Sequence, residues 1–518
     1  MRVVSVAEMR DIEQRADRDY GLTGAILMDH AGHSVATFLR ERLGGDVAGR
    51  DILVLVGPGN NGGDGRVMGR YLTEWGANIT YYAWKEQRLE IGARTISVND
   101  DLAAVRETIT QSAVVVDALL GTGTARPLTP SMRQLLACVA EEKQRRSQLL
   151  ILAVDLPTGL NADTGAVDEG TLAADLTVTL AFPKLGLFFF PGANYIGDLK
   201  IGGIGLPDDM PITAGLELLD AAMLRPLLPK RPLDSNKGTF GKVMVLAGSL
   251  PYPGSAYLAA TAAGRIGAGL VTLAVSPELA LIYAEKLSEA TFHLMPPNSA
   301  TPEERAGSLL DALKTLKGYR ALVVGPGLGQ SDETRALLLR LFAGIRALPE
   351  DERPRLLVDA DGLNNLSHVE RWWEQLPAET VITPHPGEMA RLRGGAKVSG
   401  GGPDRLEVIR EVARDWQLTI VLKGANTLIA GADGALRINA PGNPALATAG
   451  TGDVLAGTIG GLLAQGLAPL DAASAGVYLH SRAGFHVSAR LGDAGLLAAD
   501  LLPELPLALR ALKSGSSH

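Results

Sequence analysis

Short apolar runs, rich in β-branched residues or leucine, recur along the chain. Each is followed by a glycine-rich or polar loop and then a stretch of helical character. In the first part they span residues 52–56, 79–82, 114–117, 150–155 and 176–181, and in the second 243–247, 271–275, 321–324, 356–359, 381–383 and 420–422. Strands that are apolar almost throughout are buried on both faces, and strands alternating with helices form parallel sheets. The expected fold class is α/β, with two domains that each carry helices on both sides of a sheet. The two parts meet near residues 214–232, where LPDDMPITAG and RPLLPKRPLDSNKGTF concentrate proline, charge and glycine. The expected division is 1–214 for the first domain, 215–232 for a linker, 233–512 for the second domain and 513–518 for a frayed tail. No repeat of 20 to 50 residues is present, against a solenoid or propeller.

Composition narrows the function. The 518 residues carry 49 Lys plus Arg against 57 Asp plus Glu, a net charge of −8. No basic field is available for nucleic acid or an anionic membrane, so small molecules are the expected partners. Glycine accounts for 61 residues, well above the usual share of about 7%, which directs attention to phosphate-cradling loops. Cys138 is the single cysteine. It excludes an internal disulfide and a cysteine zinc site, and a reducing cytosol fits. The opening MRVVSVAEMRDIEQRADRDYG reads as a charged helix rather than an export signal. The apolar window 176–196 is broken by Pro183, Lys184, Gly186 and Pro191, which favours strand plus turn over a membrane span.

The first strand, DILVLV, leads into GPGNNGGDG and then a helical stretch. Glycines let the backbone approach a phosphate, but Asn60, Asn61 and Asp64 add two amides and a carboxylate that tight turning alone does not require. A self-capping Asn/Gly turn is the plain alternative. A nicotinamide redox fingerprint needs an acid at the end of the second strand, where Tyr81, Tyr82, Ala83 and Trp84 stand instead. Two other strand ends are polar: Asp117, followed by Gly121, Thr122, Gly123 and Thr124, and Asp155, followed by Thr158. Each aspartate alone serves equally well as a loop cap. Together they border one crevice, and Asn61, Asp117 and Thr158 offer hard oxygen atoms of the kind a cation takes.

In the second part, AGTGDVLAG is the most specific motif. Gly450 and Gly452 allow backbone N–H groups to converge at a helix start, where charge on a transferring phosphoryl group is stabilised. Asp453 beside them is placed to take a proton from an attacking hydroxyl, with a helix-start aspartate favoured by the dipole as the alternative. VLKGANTLIAG sets Lys423 at a strand end and a hairpin turn at Ala432, Asp433 and Gly434. VVGPGLG holds Gly327 in a close-approach loop, and VITPHPGEMARL puts His385 and Glu388 after a strand at a helix entrance. His480 reads as a packed or partly exposed helix residue.

The segments GNNGGDGRVMGRYL, VDALLGTG, AVDLPTGLNADTG and AFPKLGL, with EMRDIE and ILMDHAG, resemble the NAD(P)H-hydrate epimerase domain, a Rossmann-like fold, over residues 1 to about 214. The resemblance implies that Asn60, Asn61, Gly62, Gly63, Asp64, Gly121, Thr122, Gly123, Thr124, Ala125, Arg126 and Pro127 hold the damaged cofactor. It further implies that Asn61, Asp117 and Thr158 bind K+, with Thr158 where relatives often have serine, and that Asp155 is the acid/base at C6 of the nicotinamide ring. Lys184 in FPKLG is a second polar candidate, a surface lysine at a turn being the alternative. PYPGSAYLAATAAGRIGAGLVT, GPGLG, TPHPGE, LKGANT and AGTGD resemble the ribokinase-like superfamily, in its ADP-dependent NAD(P)H-hydrate dehydratase branch, over residues about 225 to 510. Here the resemblance implies that Ala256, Gly327, His385 and Asp453 contact the hydrated cofactor, Asp453 as the base. Lys423, Gly424, Ala425, Asn426, Thr427 and Gly452 would contact ADP, accompanied by Mg2+ through Glu388 and water.

The expected protein is a cytoplasmic, homo-oligomeric repair enzyme for NADH hydrate and NADPH hydrate. It would interconvert their R and S forms and use ADP to dehydrate the S form, giving AMP and phosphate. Because GTGD is shared across the superfamily, the alternative is a small-alcohol or vitamin-precursor kinase of the hydroxyethylthiazole type, with a non-catalytic nucleotide-binding first domain.

Overall fold

The structure, a computed structural model, describes residues 1–84, 94–97, 102–123, 126–212, 214–315 and 318–515. The chain divides into two units. One comprises Arg2–Leu216 with Gly401–Pro403, the other Met1, Glu217–Gly400 and Asp404–His518. Residues 215–232, expected as a linker, hold a strand at Leu216–Leu218 and a helix at Ala221–Leu224. Asp220 caps that helix by accepting from the Met223 N–H at 2.8 Å. From Glu217 onward the chain is already folded into the second unit.

In the first unit the strands are β1 (Asp51–Val56), β2 (Asn78–Ala83), β3 (Arg94–Ser97), β4 (Val114–Ala118), β5 (Leu150–Val154), β6 (Leu176–Leu180) and β7 (Asp198–Gly202). They form one parallel sheet in the order β3-β2-β1-β4-β5-β6-β7. Alternation along β1 shows why it is apolar throughout. Ile52, Val54 and Val56 pack with Met9, Ile12, Leu27, Val35 and Met68 on one side, and Leu53 and Leu55 pack with Val105, Ile109, Leu135 and Val139 on the other. The chain leaves β1 for β2 on one side and returns to β4 on the other, so the strand order reverses between β1 and β4. In such sheets the crevice at the strands' carboxyl ends is where ligands bind.

Two details depart from the sequence reading. The helix after β1, α1 (Asn60–Glu74), begins at Asn60 rather than after the glycines. Glycine costs a helix about 1 kcal/mol relative to alanine, yet packing outweighs it: a Cβ at Gly62 would lie 1.9 Å from the Gly57 carbonyl oxygen. The runs 150–155 and 176–181 also end one residue early, because Asp155 (φ 67°) and Ala181 (φ 60°) turn into left-handed backbone. Each is the centre of a γ-turn, closed by Leu156 N–H to Val154 O and by Phe182 N–H to Leu180 O, both 2.8 Å. Such turns are strained.

The second unit's sheet runs through Leu216–Leu218 (β8), Leu436–Asn439 (β17), Thr427–Ala430 (β16), Thr419–Leu422 (β15), Val381–Ile382 (β14), Arg355–Val358 (β13), Tyr319–Val324 (β12), Lys242–Leu246 (β9), Leu270–Val275 (β10) and Thr291–Leu294 (β11). It is parallel from β11 to β15 and antiparallel at the β15-β16-β17 steps. Val243, Val245, Ala321, Val323, Leu357 and Val421 bury one face against helices that include Pro253–Arg265 and Thr451–Ala464. The reversal falls between β9 and β12, the same device as in the first unit.

Candidate functional site

In the first unit, Asn61 lies in the opening turn of α1, buried, and neither its amide nitrogen nor its oxygen has a hydrogen-bond partner among the described residues. A Cβ on Gly121 would stand 3.1 Å from Asn61 Cβ, so the loop after β4 lies against this amide. Asp117, at the end of β4, accepts from Thr158 Oγ1 at 2.6 Å, Thr158 N–H at 2.8 Å and Leu119 N–H at 3.3 Å. Burial nevertheless pushes its carboxyl above the ordinary range. Thr158 Oγ1 in turn accepts from the Leu120 N–H at 3.0 Å. The three residues expected to hold a cation thus border one loop, and the unsatisfied Asn61 oxygen is the kind of donor a cation would complete.

Asp155, just past β5, is the hub of a second cluster. Its Oδ1 accepts from Lys184 Nζ at 2.5 Å, Thr179 Oγ1 at 3.1 Å and Leu180 N–H at 3.1 Å. Lys184 also donates to the Leu180 carbonyl at 2.9 Å and is only 1% exposed, so it is no surface lysine. These contacts all fall on Oδ1 rather than Oδ2. Asp64 is buried, and burial, reinforced by Asp155 and Glu13, pushes its carboxyl well above the usual carboxylate range. Glu13 is raised by burial against the attraction of Lys184. Of the remaining expected contacts, Gly62 and Gly63 are buried, Gly121 and Thr122 half-buried, and Asn60, Gly123, Arg126 and Pro127 exposed. Thr124 and Ala125 lie outside the described residues. The exit of their loop is fixed by Leu128 N–H to Asp168 Oδ2 at 3.0 Å. Arg133 holds that carboxyl down at about 2.

In the second unit, Gly450 (φ 89°) turns the chain into the helix α2 (Thr451–Ala464), and Asp453 follows within its first turn. Burial raises the Asp453 carboxyl to about 6; Ser255 opposes by hydrogen bonding, and Asp359 adds like charge. Gly452 lies over an ion pair: a Cβ there would meet Lys423 Nζ at 3.6 Å and Asp359 Oδ2 at 4.0 Å. Lys423 Nζ donates to Asp359 Oδ1 at 2.9 Å and lies 3.7 Å from Glu388 Oε2. Burial depresses the ammonium, but these two carboxylates outweigh it and hold its pKa above the ordinary value. Buried His480 accepts no proton readily, burial lowering it to about 4, and its Nε2 meets the Thr451 carbonyl at 3.0 Å, fixing the start of α2.

His385 is an N-cap. Its Nδ1 accepts from the Gly387 N–H at 3.0 Å and the Glu388 N–H at 3.3 Å, while Glu388 Oε2 accepts from the His385 N–H at 2.8 Å. Burial, against Glu388, lowers its pKa, and the ring's free face is half-exposed. Gly327 (φ 63°) lies in a loop held by Ser249 Oγ donating to its carbonyl at 2.7 Å. Ala256 is wholly buried in the core, and its neighbour Ser255 is the residue that reaches Asp453. Gly424 and Ala425 are exposed, Asn426 is buried and Thr427 half-buried at the start of β16.

Sequence reasoning missed Asp359, which sits 1% exposed behind Lys423, and Asp361, which accepts from Gly329 N–H at 2.9 Å and Gln330 Nε2 at 3.0 Å. The VDADG run at the end of β13 was its only signal, read as the close of a strand.

Two α/β units, each with a buried carboxylate paired with a lysine beyond the carboxyl ends of its strands, fit a chain with two catalytic units. Residues 243–507 match the family model described as NAD(P)H-hydrate dehydratase, and residues 24–186 the one described as YjeF-related protein N-terminus. The chain is 39% identical to a bifunctional NAD(P)H-hydrate repair enzyme of Moorella thermoacetica, covering 99% of this chain and 97% of the other. It is 33% identical to one from Escherichia coli, over 96% and 92%. An ADP/ATP-dependent NAD(P)H-hydrate dehydratase from Bacillus subtilis, co-crystallised with ATP/Mg2+, aligns at 30% identity and TM-score 0.47, over 57% of this chain and 98% of that one. The chain belongs to the bifunctional NAD(P)H-hydrate repair enzyme family.

Proposed function

We propose that the first unit interconverts the R and S hydrates of NADH and NADPH and that the second dehydrates the S hydrate at the expense of ADP. The observation that carries this reading is the pairing of two different carboxylates in one chain: Asp155, anchored to buried Lys184, and Asp453, beside the Gly452, Lys423 and Asp359 cluster.

In the first unit, Asp155 Oδ2 moves a proton as the C6 hydroxyl leaves and water returns from either face of the ring. Lys184 keeps that carboxylate in place without competing for Oδ2. Asn60, Asn61, Asp64 and the loop from Gly121 to Pro127 surround the cofactor. K+ fits the oxygens of Asn61, Asp117 and Thr158, where it would supply fixed positive charge to the crevice.

In the second unit, Asp453 takes the C6 hydroxyl proton as that oxygen attacks the β-phosphorus of ADP, and the bond to AMP breaks. Phosphate then leaves C6 with the bonding electron pair, and loss of the C5 proton restores the ring double bond. Phosphate is a far better leaving group than hydroxide, which is why a dehydration consumes a nucleotide. The N–H groups at the start of α2 stabilise the transferring phosphoryl group. Mg2+ would accompany the diphosphate, held through water by Glu388, and would neutralise phosphate charge. The protein works in the cytosol as a homo-oligomer, and its parts divide near residues 214–232.

The test supplies the purified chain with each separate hydrate epimer, with and without ADP, and follows ring absorbance and products. The expected result is R/S exchange without nucleotide, and NAD(P)H, AMP and phosphate from the S form with ADP. Accumulation of a stable phosphorylated alcohol would instead select the small-alcohol kinase reading.

A further inference from the structure

Arg405 is the second residue of the helix Asp404–Trp416 and is 1% exposed. Its guanidinium donates to three main-chain carbonyls: Asn426 O at 3.1 Å, Leu422 O at 3.1 Å and Lys423 O at 3.3 Å. No carboxylate lies within ion-pair distance of it among the described residues, and its Nε has no acceptor. The adjacent Asp404 is engaged with Ser399, accepting from its N–H at 3.0 Å. Burial lowers the guanidinium to about 10, so it remains a cation at neutral pH. Asp404 attracts it from the same helix turn but is bonded to Ser399, so a buried guanidinium with no direct ion pair gains from a further anion nearby.

The loop that Arg405 holds is the one assigned above to ADP. Gly424 O accepts from Thr427 Oγ1 at 3.1 Å. Ala425 O fills the space where Gly442 lacks a side chain, a Cβ there falling 2.3 Å from that oxygen. The carbonyls of Leu422, Lys423 and Asn426 are therefore turned toward buried Arg405 and that of Ala425 toward Gly442, while that of Gly424 closes a turn within the loop. In a planar trans peptide the next N–H points the opposite way. That of exposed Gly424, following the Arg405-bonded Lys423 carbonyl, therefore points away from Arg405, as a backbone donor to an anion must.

We propose that Arg405 is a positioning residue for the nucleotide: it turns the Leu422, Lys423 and Asn426 carbonyls inward and sets a positive charge behind the loop that receives the diphosphate. The inference rests on the assignment of this loop to ADP and adds the residue that makes it selective for charge.

The experiment measures binding of adenosine, AMP and ADP to the full-length protein and to Arg405→Met and Arg405→Lys. The Met variant is expected to weaken ADP by about tenfold or more, AMP less, and adenosine within about twofold, because the lost term is coulombic. The Lys variant keeps the charge and loses the fork, and so recovers part of the ADP affinity. R/S exchange in the same samples reports that the first unit is intact. An equal loss for all three ligands, or none, overturns the proposal, since loop shape alone would not discriminate by charge. If the Met variant fails to fold, Arg405→Gln, which keeps hydrogen-bond donors and loses the charge, decides on the same criterion. Failure of the wild-type chain to bind any of the three would instead strike the assignment of the loop itself.

Discussion

The two units solve the same placement problem and anchor their carboxylates differently. In each, the strand order of a largely parallel sheet reverses once, and a cluster of carboxylates with a lysine stands beyond the strands' carboxyl ends. Asp155 sits in a strained γ-turn with a buried lysine bonded to one oxygen, so its position is over-determined and its charge compensated. Asp453 sits in a helix's first turn, near the carboxylate of Asp359 as well as the ammonium of Lys423, and burial raises it to about 6. The first arrangement suits a group that must hold still while either face of a ring is protonated or hydrated. The second suits a base whose proton affinity lies close to the working pH.

The largest test of this contrast is a crossed pair of substitutions. Asp453→Asn should lower ADP-dependent consumption of the S hydrate by about a thousandfold and leave R/S exchange intact. Asp155→Ala should do the reverse, stranding the R form while S is still consumed. Loss of both activities in either variant would break the division of labour.

Lys184→Met comes next. Removing one partner of a buried pair destabilises by about 3–5 kcal/mol, so R/S exchange should be lost at a lower urea concentration than in the wild type. Dehydration of supplied S hydrate, measured in urea-free buffer, should be unchanged. An unshifted midpoint would show that the pair is not held as the 2.5 Å contact indicates.

The third test is pH. A base with pKa about 6 acts only when deprotonated, so dehydratase kcat/KM should be flat above that value and fall about tenfold per unit below it. Asp359→Asn removes a like charge and should move the inflection downward, provided binding of ADP is saturating. The smallest expected effect is ionic: replacing K+ with a large organic cation should slow R/S exchange several-fold in the wild type and have less effect in Asn61→Ala, where the unpartnered amide is gone.

Much of this was legible in the chain. Apolar runs gave the sheet strands because strands buried on both faces must be apolar throughout. The edge strand Asp198–Gly202 escaped because its polar positions face solvent. Asp117, Asp155, Lys423 and Asp453 stood out as polar groups at strand ends or beside glycines, where burial rules do not ask for them. The helix start at Asn60 was not legible, since local propensity argues against glycines in a helix and only the contact with Gly57 reverses that preference.

The sequence alone singled out most of the candidate groups, because polar side chains at the ends of apolar strands leave a local pattern. Only tertiary structure decided how those groups are tuned. Lys184 reaches Asp155 across 29 residues, Asp359 reaches Lys423 across 64, and Arg405 reaches the Asn426 carbonyl across 21. A carboxylate's proton affinity depends on burial and on charges a few ångströms away, and no spacing along the chain encodes those distances.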